Sequence, residues 1–257
     1  PSDSRVVRGV LIGIVVSCSV GAAMQVAGIA ATPYDLWTGG QRVTILGQNA
    51  NLSAIILSAG LATVVGLATR QHPRLPRLGL PAWPLAAMIG IAVVQTGSRG
   101  GMLCAAVGLV ALLFRGSTFR RRILNLAVGV IALAAAGTIA YRSEVIRERF
   151  AEAAEGNLAG RERIYPALVE MFAERPWIGW GPIENQYEVA RRTMDQKYDH
   201  RDAHNLVLEL LTTSGLLGAI PFLIGVALCV ASAWRARHGF LGLLPLAVLL
   251  TVLTGTV

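Results

Sequence analysis

The sequence predicts an all-α polytopic transmembrane helix bundle with one long extracytoplasmic loop that carries short amphipathic helices. Three observations predict it. The 257 residues are 54% hydrophobic, with a mean hydropathy of +0.56, which is too apolar for an ordinary soluble domain. Apolar runs near the spanning length of about 17–25 residues recur along the chain. Basic residues concentrate in short connections, while acids gather in one long segment. The chain opens at Pro1 and is still apolar over Leu241–Val257, so it reads as a fragment, a partial single membrane domain over residues 1–257. The first apolar run is too long for a secretory signal peptide.

The apolar runs are Val6–Ala31, Asn51–Thr69, Pro81–Thr96, Gly101–Phe114, Ile123–Tyr141, Leu206–Trp234 and Phe240–Val257. Pro81–Thr96 and Gly101–Phe114 are short and meet at Gly97-Ser98-Arg99-Gly100. They are either two short spans joined by a tight turn or less regular helices. Three connections are basic and free of acids: Arg70–Arg77 with three arginines, Arg115–Arg122 with four, and Arg235–His238 with two. Short, basic loops stay on the cytoplasmic side. The remaining connections, 32–50, 98–100 and the long 142–203, then face outward. The last of these holds twelve acidic and ten basic residues. The formal charge of +8 is therefore topogenic, and nucleic acid is not an expected partner. Cys18, Cys104 and Cys229 all sit in apolar runs, which speaks against a disulfide framework.

The long segment carries its own pattern. Ile164, Leu168, Met171 and Phe172 recur at helical spacing, which predicts an amphipathic helix along the membrane surface that stops at Pro176. Trp177–Pro182 reads as a tight turn with interfacial aromatics. Glu184–Met194 is a second helical stretch. Beyond it, Asp202 is placed to cap a new helix, which puts His204 in the first turn. The positive end of that helix disfavours imidazolium, so His204 should be neutral and able to accept a proton.

Four polar stretches, distant in sequence, thus gather at the outer face: Arg42 with Gln48 and Asn49; Ser98-Arg99-Gly100; Arg161, Arg163 and Tyr165; and His204 with Asn205. Each has a plain alternative. Arg42 either anchors a loop or holds a ligand. Arg161 and Arg163 form either a solvated pair or a phosphate clamp. His204 is either a satisfied interfacial histidine or a base. Glu209, an acid inside an apolar run, either pairs with an arginine or is functional. Arg99 has the strongest reason to be functional, because it is retained where positive charge is disfavoured. Guanidinium forks match phosphate oxygens in pairs, and a neutral imidazole beside them can take a proton from an attacking hydroxyl. No zinc-ligand spacing, paired aspartates or phosphate-binding glycine loop is visible, so no metal or other cofactor is expected.

These residues resemble the O-antigen ligase and polymerase superfamily of bacterial envelope glycosyltransferases. His204-Asn205, nine residues, Gly215, two residues and Gly218 match the ligase pattern, with Ala219 a small departure. Arg99–Leu103 fits the Arg-x3-Leu element. Gly160-Arg161 with Tyr165, Ala167-Leu168 and Pro176–Gly181 is similar to the family's large outer loop, and Arg42 with Gly47-Gln48-Asn49 to its earlier one. The resemblance covers about Arg42 to Ala231. It implies a multi-pass protein of the bacterial inner membrane with its active site facing the periplasm. Its donor would be a glycan on undecaprenyl pyrophosphate, and its acceptor lipid A–core or another glycan, in a metal-independent reaction. Arg99, Arg161 and Arg42 would hold the pyrophosphate, and His204 would activate or orient the acceptor hydroxyl. Arg163, Tyr165, Gln48, Asn49, Asn205 and Glu209 would bind substrate.

Two other readings compete. An O-antigen or exopolysaccharide polymerase would share these motifs. A transporter or flippase of a lipid-linked anionic solute should carry its charged site at mid-membrane on broken helices, often in two related halves. Here the polar groups lie at one face and no halves are evident.

Overall fold

The computed structural model describes residues 2–29, 31–33, 43–45, 48–69, 72, 75–78, 81–114, 120, 123, 147, 151, 160–193, 201 and 203–256. The chain divides into two compact units, Pro1–Phe150 with Ser232–Gly255, and Ala151–Ala231 with Thr256–Val257.

The first unit is built on apolar helices, as expected. They are α1 (Ser2–Val26), α2 (Ala50–Thr69), α3 (Ala82–Gln95), α4 (Arg99–Leu113) and α8 (Leu244–Gly255). The short runs flanking Arg99 are two regular helices joined by a tight turn, not irregular ones. The first run leaves the helix at Val26, where Gly28 at φ 72° turns the chain away. An unexpected two-stranded antiparallel ribbon follows, β1 (Ala31–Pro33) against β2 (Val43–Ile45), with Ala31 opposite Ile45. Strands of three residues are too short to give a readable period, and the class remains all-α. Among the described residues, the helices long and apolar enough to cross a membrane are Ser4–Val26, Ala50–Thr69 and Leu206–His238. The expected span Ile123–Tyr141 lies outside the described residues apart from Ile123.

Without a hydrophobic drive between helices in lipid, close packing must come from shape, and small residues supply it. A Cβ added at Gly60 would meet Cys18, at Gly66 Leu244, at Gly101 Ala54, at Gly108 Thr251 and at Gly255 Ile55. These contacts also fix direction. α2 and α4 run parallel, with α3 and α8 antiparallel to both, and Gln25 near the end of α1 donates to Ala92 O of α3 at 2.8 Å. The starts of α2 and α4 and the ends of α1, α3 and α8 therefore share one end of the unit. Arg5, Arg8, Arg77, Arg235 and Arg237 belong to the other end, the end that the positive-inside rule assigns to the cytoplasm.

The second unit holds α5 (Arg161–Glu174), α6 (Pro182–Arg192) and most of α7 (Leu206–Arg235). Ile164, Leu168 and Met171 do line one face of α5, but that face is buried against Val189 and Ala203, with Tyr165, Trp180 and Leu208 packed around it. The expectation of a helix whose apolar face lies on the membrane is thus corrected: the stripe makes the unit's own core. The second helix begins at Pro182, preorganised for the first helical position, and ends at Arg192.

α7 is interrupted. Gly215 has φ 60° and ψ −166°, a conformation open essentially to glycine alone. The break frees two carbonyls and two amides, and the loop 176–181 meets all four. Trp180 N donates to Thr212 O at 2.7 Å and Gly181 N to Thr213 O at 2.8 Å. Leu216 N donates to Pro176 O at 2.8 Å and Leu217 N to Trp177 O at 3.1 Å. The approach is too close for side chains on either strand. A Cβ on Gly215 would strike the backbone of Trp177, and one on Gly179 (φ 67°) that of Thr213. A helix broken in an apolar setting must have its freed groups met in this way.

Candidate functional site

In the first unit, Arg99 is the first residue of α4 and half-buried. Ser98 caps that helix, its Oγ accepting from Gly101 N at 3.1 Å and donating to Asn51 Oδ1 at 2.8 Å. Thr96 Oγ1 accepts from Ser98 N at 3.2 Å and so fixes the turn from behind. Asn49 caps the neighbouring α2, with its Oδ1 2.9 Å from Asn51 N, and Gln48 Oε1 accepts from Ser53 Oγ at 3.4 Å. Gln48, Asn49 and Arg99 therefore meet at two adjacent helix N-termini, where partial positive charge accumulates. Arg42 lies outside the described residues.

In the second unit, His204 does not sit in a helical turn. Asp202, expected to start the helix, lies outside the described residues, and the first turn belongs to Asn205. Its Oδ1 accepts from Val207 N and Leu208 N, each at 3.1 Å. His204 precedes this cap, exposed, in the left-handed region at φ 52°. A non-glycine residue there costs about 1 kcal/mol or more and persists only when its surroundings impose it. They do so from two sides. Arg201 N donates to Gln186 O of α6 at 3.1 Å, and Ala203 N donates to Glu209 Oε2 at 3.0 Å. Glu209 Oε1 in turn accepts from Asn185 Nδ2 at 3.3 Å. Of the two roles open to Glu209, the described bonds are to a backbone amide and an asparagine, and none runs to an arginine.

The same segment reaches the arginine pair. Gly160 precedes α5 with φ 84°, and a Cβ there would fall 2.6 Å from an Nη of Arg201. The Arg201 guanidinium therefore lies against the start of the helix whose first residue is Arg161. Arg161 is half-buried and Arg163 exposed, and Tyr165 is half-buried beside the core. The structure thus brings His204, Asn205, Glu209, Arg161, Arg163 and Tyr165 into one unit, and Arg99, Gln48 and Asn49 into the other. Arg201 and Asn185 went unassigned in the sequence. Arg201 stood three residues before His204, but nothing in the chain pointed it at Gly160. Asn185 had no signal at all.

The far ends of α5 and α6 are tied by charge. Arg192 binds both carboxylate oxygens of Glu174, at 2.8 and 2.7 Å, and its Nε reaches Glu188 at 2.6 Å, while Arg191 binds Glu188 as well. The hydrogen bond from Arg191 holds the largely buried Glu188 carboxyl below its ordinary value, and Arg192 does the same for exposed Glu174. Arg175 stacks on Trp180 at 4.0 Å, and Trp180 Nε1 donates to Met171 O at 2.9 Å. This fixes the loop that fills the break in α7. Among the described residues no group of His, Cys, Asp or Glu could hold a metal ion.

A family model described as O-antigen ligase matches residues 84–223, more than half of the chain. The chain belongs to the O-antigen ligase family. It is also similar to an O-antigen ligase of Pseudomonas aeruginosa PAO1, 27% identical over 190 residues, which is 74% of this chain and 43% of that protein. The match thus spans less than half of the relative's length. No solved structure matches. Family membership together with the apolar helices makes this a multi-pass bacterial membrane protein. The matched region contains Arg99, Arg161, Asn185, His204 and the Gly215 break. The break also bears on the transporter alternative. Broken helices in transporters aim free helix ends at substrate, whereas here the loop 176–181 occupies the freed groups and the adjacent residues are Thr213, Ser214 and Leu216.

Proposed function

We propose that this chain carries the catalytic region of a membrane glycosyltransferase that moves a glycan from undecaprenyl pyrophosphate to an acceptor hydroxyl at the periplasmic face of the inner membrane. The acceptor is lipid A–core. The observation that carries the reading is the His204 turn. A strained, exposed histidine is held at a helix start three residues after Arg201, whose guanidinium lies against the arginine-bearing N-terminus of α5, in a chain of the O-antigen ligase family.

The chemistry follows from the groups. The acceptor oxygen attacks the anomeric carbon of the donor sugar, and its proton passes to the His204 imidazole. The bond from that carbon to the pyrophosphate oxygen breaks, and the electron pair leaves with the pyrophosphate. Arg99 and Arg161, with Arg42, stabilise the charge that develops there. Arg163, Tyr165, Gln48, Asn49 and Asn205 bind the substrates around this centre. The reaction needs no metal, because guanidinium groups carry the electrostatic task.

The test is complementation of a strain lacking the gene with the complete protein. His204→Ala and Arg99→Ala should insert normally, leave lipid-linked polymer to accumulate and fail to cap lipid A–core. Normal capping by either variant refutes the role assigned. Loss of the polymer itself would make the protein a polymerase instead.

A further inference from the structure

We propose that Asn185 is a positioning residue for His204, acting through Glu209. The inference rests on the reading of His204 as the base. Asn185 is fully buried on α6, and its Nδ2 donates to Glu209 Oε1 at 3.3 Å. The other oxygen of that carboxylate accepts from Ala203 N at 3.0 Å, one residue before His204. Ala203 is itself fully buried in the unit's core, so the amide that Glu209 holds cannot turn to water.

The arrangement differs from ordinary capping. Asn205 already caps α7 with its own side chain. Glu209, in the first turn, reaches back past the cap to a residue outside the helix. A carboxylate on a flexible stem keeps that aim only if its second oxygen is also held, and Asn185 holds it. Asn185 Oδ1 has no hydrogen-bond partner among the described residues. An unpaired buried acceptor is unfavourable, so self-satisfaction does not account for the amide, whereas the bond to Glu209 does. The neighbouring Gln186 O grips Arg201 N, so α6 clamps the His204 segment at two successive points. The left-handed backbone of His204, from which the imidazole projects, is thereby tied to α6.

The experiment uses steady-state transfer by the complete protein. Asn185→Leu should lower kcat roughly 10- to 100-fold, the loss expected from misplacing a catalytic group by about an ångström, with the donor KM unchanged. Asn185→Asp should fail similarly, since it sets two carboxylates together. Adding Glu209→Gln to Asn185→Asp reverses donor and acceptor across the bridge while leaving an oxygen for Ala203 N, and should recover most of kcat. Wild-type kcat in Asn185→Leu, with His204→Ala inactive, overturns this proposal and leaves the function standing. So does a loss that tracks thermal stability and is not recovered by the swap. Activity in His204→Ala overturns both.

Discussion

Replacing Gly215 by alanine puts the most weight on one backbone conformation. At φ 60° and ψ −166° an L side chain costs about 1–3 kcal/mol. The new Cβ also meets main-chain atoms of Trp177, which cannot swing aside. The chain has one escape, which is to straighten α7. Leu216 and Leu217 would then donate within the helix to Thr212 and Thr213, while Trp180 N, Gly181 N, Pro176 O and Trp177 O lose their partners. Four loop-to-helix bonds become two helical ones, a net loss of two at about 1 kcal/mol each. The lost bonds disfavour the undocked loop and the strain disfavours the docked one, so the two oppose each other. The substitution shifts the balance toward undocking by the strain alone, about 1–3 kcal/mol or roughly 5- to 150-fold, and the clash with Trp177 adds to it. Amide hydrogen exchange on the inserted protein reads this directly. Protection should collapse at Trp180 and Gly181 yet persist at Leu216 and Leu217, and glycan transfer should be lost. Unchanged protection at Trp180 and Gly181 with normal transfer would refute the interlock.

Gly218→Ala should also destabilise, because its Cβ would overlap Ser214 Cβ, which no rotamer change moves, but it lacks the left-handed strain of Gly215 and should rank below Gly215→Ala in thermal denaturation. Asn205→Ala removes the cap of α7 and should cost about 1 kcal/mol, with Asn205→Asp near wild type in the same assay. Arg163→Ala should reduce transfer less than Arg161→Ala, and the reverse order would exchange their roles. Acid should loosen the second unit. Glu188 and Glu174 have depressed carboxyl pKa values when folded, so their contribution is fully present above about pH 4.3, the unfolded value, and is lost as pH falls through the lower folded values. Proteolysis across that range should show the α5–α6 pair opening on acidification, and Glu188→Gln should flatten the response.

The apolar helices were legible because membrane length and basic loops leave few alternatives. The helices of the long loop were legible for a different reason, since Ile164, Leu168 and Met171 repeat at the helical period. Where that stripe points was not legible, because a period does not say whether core or lipid covers it. The helix start was misplaced by a competing choice: Asp202 and Asn205 are both good caps, and only the tie from Ala203 N to Glu209 decides for the second. The His-x9-Gly-x-x-Gly pattern could be matched but not explained. Its first glycine is where α7 breaks, and the glycines of the loop 176–181 complete the same joint from a distance of more than thirty residues. Asn185 was invisible because its role depends on a carboxylate on another helix.

The central claim is that Arg99 and His204 each serve transfer from a lipid-linked pyrophosphate. The direct measurement is thiol labelling of Arg99→Cys and of His204→Cys, each in the complete protein, with and without donor. The account predicts that bound donor protects both cysteines from the reagent. Two cysteines that label equally with and without donor would contradict it.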